Sequence, residues 1–266
     1  DSYATGLTDP TNLQNIEALV LDWENPRFEV IEESTVEETP VHAVREITLE
    51  SNGDINLTES ITMRGRIGEN MKRWLSIMTP TERRDAIQRW MNFNKLTLQV
   101  DSVALQNEDE LYEPLKIEIT ANTRSDELQA NLVNVLKLPI ISETLFIGVP
   151  QTQDRIFDYQ RVSSCHITVD TELKTPPGWI AEIATKDYSD YSRKFGISYS
   201  ANWNQSGTKL IGTNLIRVEK PIIPAGEFET YKSHLSESLN QLGPKIDIKQ
   251  NRSDPTKDVS QKEIRL

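Results

Sequence analysis

The segment 44–63 is the part of the sequence that most constrains the fold. Apolar residues recur close to every second position on both sides of the sequence SNGD at 51–54: Val44, Ile47, Leu49, Ile55, Leu57, Ile61 and Met63. This alternation is typical of strands with one buried face. Asn52-Gly53 readily adopts the positive φ angles of a type I′ turn. The sequence therefore predicts a β-hairpin with a two-residue turn.

Two helices are predicted directly after this hairpin. In the first, apolar side chains have helical spacing at Met71, Trp74, Leu75 and Met78. The second begins with a capping sequence: Thr79 can cap, Pro80 suits the first helical position, and Glu82 can complete a capping box. Its apolar stripe comprises Ala86, Ile87, Trp90 and Met91. Both stripes are interpreted as faces that pack on the core.

Alternating patterns predict further strands between residues 95 and 185. They lie in KLTLQVDSVAL (95–105), LKIEITANT (115–123), HITVDTEL (166–173) and IAEIAT (180–185). The sequence KTPPGW between the last two is a turn signal. Residues 127–141 are ambiguous between helix and strand, and their β-rich composition favours a strand.

The C-terminal third repeats the order of hairpin and helix. Residues 194–220 predict a hairpin with Ser206-Gly207 at its turn. Pro224 can open a helix, which Gly243 and Pro244 end. The apolar face of that helix comprises Phe228, Tyr231, Leu235, Leu239 and Leu242. The sequence KIDIK (245–249) predicts an edge strand.

These elements predict an α+β chain that is mainly β. We expect two β-sandwich-like subdomains of antiparallel sheets with packed helices, at residues 34–150 and 151–243, and a polar tail at 244–266. Residues 1–33 form a separate leading segment. The 266-residue chain begins at Asp1 with no initiator methionine, so we expect a processed product or an excised piece of a longer protein.

Charge excludes two classes of partner. The formal net charge is −12, from 29 basic and 41 acidic residues. An acidic surface repels phosphate, so nucleic acid and anionic lipid are not expected partners. No apolar run approaches the ~20 residues that span a bilayer, so membrane insertion is not expected.

The only cysteine, Cys165, lies directly beside His166. A thiol nucleophile needs a base within about 3 Å. The alternation of Ile167 and Val169 with polar residues predicts a strand, in which neighbouring side chains point to opposite faces. We therefore interpret Cys165 as a buried apolar side chain and name no catalytic residue.

No metal or cofactor site is predicted either. The three histidines, His42, His166 and His234, lie far apart in sequence, and no HExxH or CxxC spacing occurs. The acidic stretches 51–54, 107–110 and 187–190 lack the EF-hand spacing and are interpreted as solvated turns. The sequence contains no P-loop and no GxSxG motif. Exposed aromatic residues could bind a glycan, and the candidates are Trp179, Tyr188, Tyr191 and Trp203, although Trp203 could equally be part of the core.

The order of five sequences resembles one known class of protein. They are DSYATGLTDPTNLQNIEALVLD, the hairpin sequence SNGD, RGRIGENMKRWL, PPGW and IIPAGEFETYKSHL. In this order they are similar to the C-terminal β-rich region of bacterial exported transglutaminase-like proteins, downstream of the papain-like catalytic core. Asp1 matches the last residue of the core's final strand, and the run EALVLD matches the apolar run that follows it.

The resemblance implies that the Cys–His–Asp triad precedes Asp1, so that residues 1–33 continue from an upstream core. It implies a non-catalytic accessory or interaction region, a periplasmic or cell-envelope location, and the upstream core as partner, with protein or glycan as further possibilities. Two alternatives stay open: a stand-alone glycan- or peptide-binding β module, and a hydrolase with an unrecognised site.

Overall fold

The computed structural model describes eleven ranges of the chain. These are residues 17–30, 40–93, 98–110, 113–123, 135–147, 157–160, 164–183, 187–206, 208–219, 222–243 and 245–250. The predicted boundary at residues 150 and 151 lies outside them, as do residues 251–266 of the predicted tail and residues 124–134.

Fifteen strands are present in the described ranges. They are β1 (Glu17–Val20), β2 (Arg27–Val30), β3 (Pro40–Leu49), β4 (Ile55–Met63), β5 (Gln99–Gln106), β6 (Leu115–Asn122), β7 (Val135–Lys137), β8 (Tyr159–Gln160), β9 (Cys165–Lys174), β10 (Trp179–Ile183), β11 (Asp187–Ser192), β12 (Ile197–Ser206), β13 (Lys209–Val218), β14 (Ile222–Ile223) and β15 (Lys245–Gln250). The described helices are α1 (Gly65–Ser76), α2 (Pro80–Phe93), α3 (Ile141–Ile147) and α4 (Phe228–Leu242), the last preceded by a 3-10 turn, Ala225–Glu227. The predicted α+β class with a majority of strands is confirmed.

One sheet of eight strands carries the fold. Its order is β11-β12-β13-β9-β3-β4-β6-β5, and all neighbours are antiparallel except β3 and β9, which run parallel. The sheet is therefore mixed, where we expected antiparallel sheets only. Because β3 and β9 come from the two predicted subdomains, those segments share one sheet. Their apolar positions match in register, as at Val41 with Ile167, so both strands bury the same face.

The smaller sheets are antiparallel. β15 lies between β10 and β7, so the segment KIDIK forms a central strand, and the prediction of an edge strand was wrong. Residues 127–141 contribute the short strand β7 and then the start of α3. β1 pairs with β2, and β14 pairs with β8.

The hairpin β3–β4 is confirmed, but its turn is not type I′. The backbone N–H of Gly53 donates to Glu50 O (2.9 Å), and the N–H of Glu50 donates to Asp54 O (2.8 Å). Gly53 has φ of 92°, whereas Asn107 is the one non-glycine residue with positive φ in the described ranges. A type I′ turn would need positive φ at Asn52 as well. The loop is instead a type I turn followed by a left-handed glycine.

The predicted start of α2 and the predicted apolar face of α4 are confirmed, whereas Trp74, which we expected to pack on the core from α1, is 40% exposed. Thr79 Oγ1 and the Thr79 N–H both donate to Glu82 Oε2 (2.8 and 2.7 Å), and the Glu82 N–H donates to Thr79 Oγ1 (3.3 Å), which completes the capping box. These hydrogen bonds hold the pKa of Glu82 below its ordinary value. All five apolar residues predicted for the face of α4 are buried.

The large sheet has an inner face and an outer face. The inner face carries the alternating buried residues of each strand, and the four helices pack on it, with Leu75 of α1, Ile87 of α2 and Leu235 of α4 in the core. The outer face carries the intervening side chains, which are largely polar, among them His42 of β3 and Thr213 of β13. His42 and Thr213 are exposed, so the outer face is open to solvent at these positions.

Candidate functional site

The hairpin formed by β1 and β2, residues 17–30, exposes an unusual amount of apolar surface. Leu19 and Phe28 are paired across it, and Val30 lies on the same face two residues further along β2. Phe28 is 69% exposed and Trp23, in the connecting loop, is 100% exposed. Five large apolar side chains of this segment are exposed: Leu19, Leu21, Trp23, Phe28 and Val30. We call residues 17–30 the apolar hairpin.

The second face of the apolar hairpin is charged. Arg27 contacts Glu29 at 2.5 Å and Asp22 at 3.4 Å, so one guanidinium links strand and loop. Asp22 also accepts a hydrogen bond from the backbone N–H of Glu24 (3.1 Å), which orders the loop that carries Trp23. Four acidic residues against one arginine make the segment acidic. The hairpin is therefore amphipathic, with an acidic rim around an exposed apolar face.

The region around Cys165 is a strand, as predicted. Cys165 begins β9 and is 4% exposed, on the inner face with Ile167 and Val169. His166 is on the outer face, so the two side chains point away from each other. This placement agrees with the structural interpretation of the cysteine.

The three histidines lie in three different environments. His42 lies on the outer face, where its Nε2–H donates to Asp170 Oδ2 (2.9 Å). His234 on α4 stacks near Phe195 and lies 3.5 Å from Asp190 of β11. Within the described ranges, no group of three or more histidine, cysteine or carboxylate side chains lies close enough together to hold a metal ion.

The side chains of two acidic stretches make hydrogen bonds or ion pairs within the stretch or with a neighbouring element. In the β3–β4 turn, Asn52 Nδ2 donates to Asp54 Oδ2 (2.7 Å), and Glu108 pairs with Arg83 of α2 at 2.5 Å. The stretch 187–190 is not a turn but the start of strand β11. The interpretation of that stretch as a solvated turn was therefore wrong.

Three of the four candidate aromatic residues contact the core. Trp203 is buried on the inner face, and Trp179 of β10 and Tyr188 of β11 pack against the core. The Tyr188 hydroxyl lies 3.5 Å from Ser238 of α4, and burial raises the Tyr188 pKa. Tyr191 differs, because it lies on the outer face of β11 and is 58% exposed.

A buried ion cluster that was not predicted joins four elements on the inner face. Arg45 of β3 donates to both carboxylate oxygens of Glu59 on β4 (3.0 and 3.1 Å) and to Glu143 Oε2 on α3 (2.6 Å). Ser142 donates to Glu59 through its N–H (3.1 Å) and its hydroxyl, and Asn214 Nδ2 donates to Glu143 (2.7 Å). Burial by itself lowers the pKa of Arg45, but the charges of Glu143 and Glu59 outweigh it and raise the pKa.

The burial of this cluster determines what it can do. The side chains of Arg45, Glu59 and Glu143 are at most 1% exposed, so no substrate can contact them in this conformation. Every strong donor of Arg45 already has an acceptor, including Pro139 O at 2.8 Å. The cluster therefore fixes α3 and β13 to the β3–β4 hairpin.

A shallow depression is present at one end of the outer face. Its volume is about 440 Å³, and it lies over β11, β12 and β13. Asp187, Ser189, Ser200, Asn202 and Thr213 are among the residues that line it. Asn202 Nδ2 donates to Asp187 Oδ1 (2.5 Å), while Thr213 Oγ1 donates to Asp170 Oδ1 (2.7 Å).

Comparison with known proteins yields little. No family model and no curated protein matches the chain. One solved structure, described as a putative protease from Parabacteroides distasonis ATCC 8503, is similar to part of this chain. The match covers 43% of this chain and 23% of that protein, with 13% sequence identity and a TM-score of 0.36. The matched part therefore spans about a quarter of that protein.

Among the residues that the structure describes, no helix combines the length and the apolar composition needed to cross a bilayer.

Proposed function

We propose that this chain is a non-catalytic accessory region that docks on another folded domain through the apolar hairpin. The observation that carries the proposal is the exposure of Leu19, Phe28 and Val30 on one face of a two-stranded sheet, with Trp23 fully exposed beside them. Exposed apolar surface of this kind, rimmed by polar residues, is typical of interaction sites.

The energetics of a small hairpin support this assignment. A two-stranded sheet is at best marginally stable in water unless a hydrophobic face is covered. Each large apolar side chain that becomes fully buried contributes about 1.5–3 kcal/mol. A partner that covers Leu19, Trp23 and Phe28 would therefore stabilise both the hairpin and the complex.

The acidic rim specifies the chemistry of the partner surface. Glu17 lies on the apolar face, paired with Val30, and Asp22 and Glu24 lie beside Trp23 in the loop. A complementary surface is therefore an apolar groove flanked by lysine or arginine. On the resemblance in the sequence, the partner is a transglutaminase-like core in the same parent chain, and the location is the periplasm or cell envelope.

Two experiments test the proposal. The parent gene is sequenced upstream of residue 1, where a core with Cys, His and Asp triad residues is expected. That core is then expressed separately and titrated with this chain by calorimetry. We expect binding. In a parallel fluorescence titration, the tryptophan emission should shift to shorter wavelength as the indole of Trp23 leaves water.

Substitutions locate the interface. The triple variant Leu19→Ser, Phe28→Ser, Val30→Ser should weaken binding at least about 100-fold, since it removes three apolar contacts. Ile77→Ser, at an exposed position beyond α1, is the matched control and should leave binding unchanged. Absence of an upstream core, equal effects of the two variants, or self-association through the hairpin would each refute the proposal.

A further inference from the structure

We infer that the depression on the outer face, over β11, β12 and β13, is a binding site for a neutral oligosaccharide. The site lies on the large sheet and is separate from the apolar hairpin in sequence and in chemistry, so the inference goes beyond the proposed function. Its volume of about 440 Å³ is within the range of small-ligand sites in proteins, and its shallow form suits an elongated ligand.

The strand register places hydrogen-bonding groups in a regular row. Asp187, Asn202, Thr213 and Asp170 occupy successive paired positions on β11, β12, β13 and β9. Neighbouring strands are about 4.8 Å apart, so the row extends for about 14 Å. That length corresponds to two to three sugar rings in a chain.

The groups of this row are held in place by one another. Asn202 donates to Asp187 and accepts from Asn204 Nδ2 (3.0 Å), and Thr213 donates to Asp170, which also accepts from His42. Asp187 Oδ1 accepts one of these bonds, and a carboxylate can accept several more. Fixed polar groups lose little conformational entropy on binding, which favours recognition of hydroxyl groups.

The lining residues select against anionic ligands. None of the residues that line the depression is cationic, and Asp187 is anionic, so phosphate and other anions are disfavoured. Ser189 and Ser200 add hydroxyl groups that can both donate and accept, as sugar hydroxyls do. The site therefore matches a ligand that carries no negative charge and is rich in hydroxyl groups.

Tyr188, Ala201 and Leu215 supply the apolar part of the lining, and Tyr191 lies beside the depression rather than in its lining. Tyr191 follows Ser189 on the outer face of β11, so its Cα lies about 7 Å further along the strand. Tyr191 lies about 13 Å along β11 from Asp187, so its exposed ring can stack on the C–H face of a sugar that extends past Ser189, because aromatic rings combine a large contact area with low entropy loss. Of the four aromatic residues considered from sequence, this is the one placed for that role.

The test uses the intact chain and defined probes. Tetramers of β-1,4-linked glucose, β-1,4-linked N-acetylglucosamine, β-1,4-linked xylose and α-1,4-linked glucose are titrated by calorimetry and by saturation-transfer NMR. We expect at least one tetramer to bind, with an affinity that does not change with salt, since no ion pair is formed. No binding by any tetramer up to about 10 mM would overturn the inference.

Three variants identify the site. Asp187→Ala and Tyr191→Ala should each weaken binding at least about tenfold, because a hydrogen bond to a charged group and a stacking contact are lost. Glu118→Ala is the matched control, since Glu118 occupies the same register row on β6 and should have no effect. Binding that all three variants leave unchanged, or that Glu118→Ala weakens equally, would place the ligand elsewhere. The hairpin variant Leu19→Ser, Phe28→Ser, Val30→Ser should leave sugar binding intact, so the two proposals can fail independently.

Discussion

Arg45 and His42 lie three residues apart on β3, and each pairs with a carboxylate from a neighbouring strand. Arg45 is on the inner face and 1% exposed, whereas the His42 side chain is 53% exposed on the outer face. The same kind of contact therefore has different effects on stability and on ligand access in the two places. The buried pair is isolated from solvent and fixes the architecture, while the exposed pair stays available to a ligand and contributes little to stability.

The difference follows from what surrounds each pair. Glu59 and Glu143 have no access to water, so their charges depend on Arg45, Ser142 and Asn214. Asp170 has hydrogen bonds from His42 and Thr213 but also faces solvent, which can replace either partner. Loss of one partner should thus be severe on the inner face and mild on the outer face.

The largest effect is expected from Arg45→Met. The variant leaves two carboxylates buried beside each other with no cation, and breaking a buried pair in this way costs about 3–5 kcal/mol. Urea denaturation followed by circular dichroism should show this loss in the free energy of unfolding. The triple variant Arg45→Met, Glu59→Leu, Glu143→Leu removes all three charges and should recover most of the loss. A cost below about 1 kcal/mol for Arg45→Met alone would contradict the structural role.

An intermediate effect is expected from Gly212→Ala, which tests how tightly the inner face is packed. Gly212 is paired with Trp203 across β12 and β13, and a Cβ there would overlap the indole ring. Overpacking of a buried site costs about 1–3 kcal/mol. Thermal unfolding followed by tryptophan fluorescence measures the change.

Gly226→Ala is the control for this substitution. Gly226 lies in the turn before α4, and a Cβ there would have no atom within 4 Å. We expect no loss of stability from Gly226→Ala. If Gly212→Ala were equally neutral, the indole of Trp203 would have to move to make room for the methyl group. The inner face would then not be tightly packed at this position, and its contrast with the solvent-exposed outer face would be weaker.

Local signals account for what the sequence predicted correctly. The β3–β4 hairpin, the capping box at Thr79 and the apolar face of α4 each depend on residues within a few positions of one another. The parallel pairing of β3 with β9 depends on residues about 125 positions apart, and nothing in either strand alone indicates its partner. Two β-sandwich-like subdomains with antiparallel sheets were therefore the natural expectation, and one mixed sheet shared by both segments was not.

The ion cluster did leave a signal in the sequence. Arg45 lies in phase with Ala43 and Ile47, and Glu59 lies in phase with Leu57 and Ile61, so both charges occupy positions where the strand pattern requires a buried side chain. Two opposite charges in phase with the apolar positions of paired strands predict a buried ion pair. Glu143 could not be found in this way, because it lies on a short helix far along the chain.

The smallest effect is expected on the outer face, from the pair of His42 and Asp170. Partial burial by itself raises the pKa of Asp170, but hydrogen bonds from His42 and Thr213 outweigh it and hold the pKa below the ordinary value of 3.8. The folded protein thus binds the Asp170 proton less readily than the unfolded chain does. The pair should stabilise the fold above about pH 4, and this contribution should disappear as the pH falls through the lowered pKa.

Carboxyl-group NMR titration of the protein and of His42→Ala measures this shift, and the variant should return the pKa of Asp170 towards 3.8. Asp170→Asn should cost less than about 1 kcal/mol near neutral pH, because solvent can replace the lost contacts. A pKa for Asp170 at or above 3.8, or a cost that matches Arg45→Met, would show that the outer face is covered in solution. The depression beside Asp170 would then be closed to a ligand. Both faces of β3 would be buried, and the difference between the Arg45 and His42 pairs would disappear.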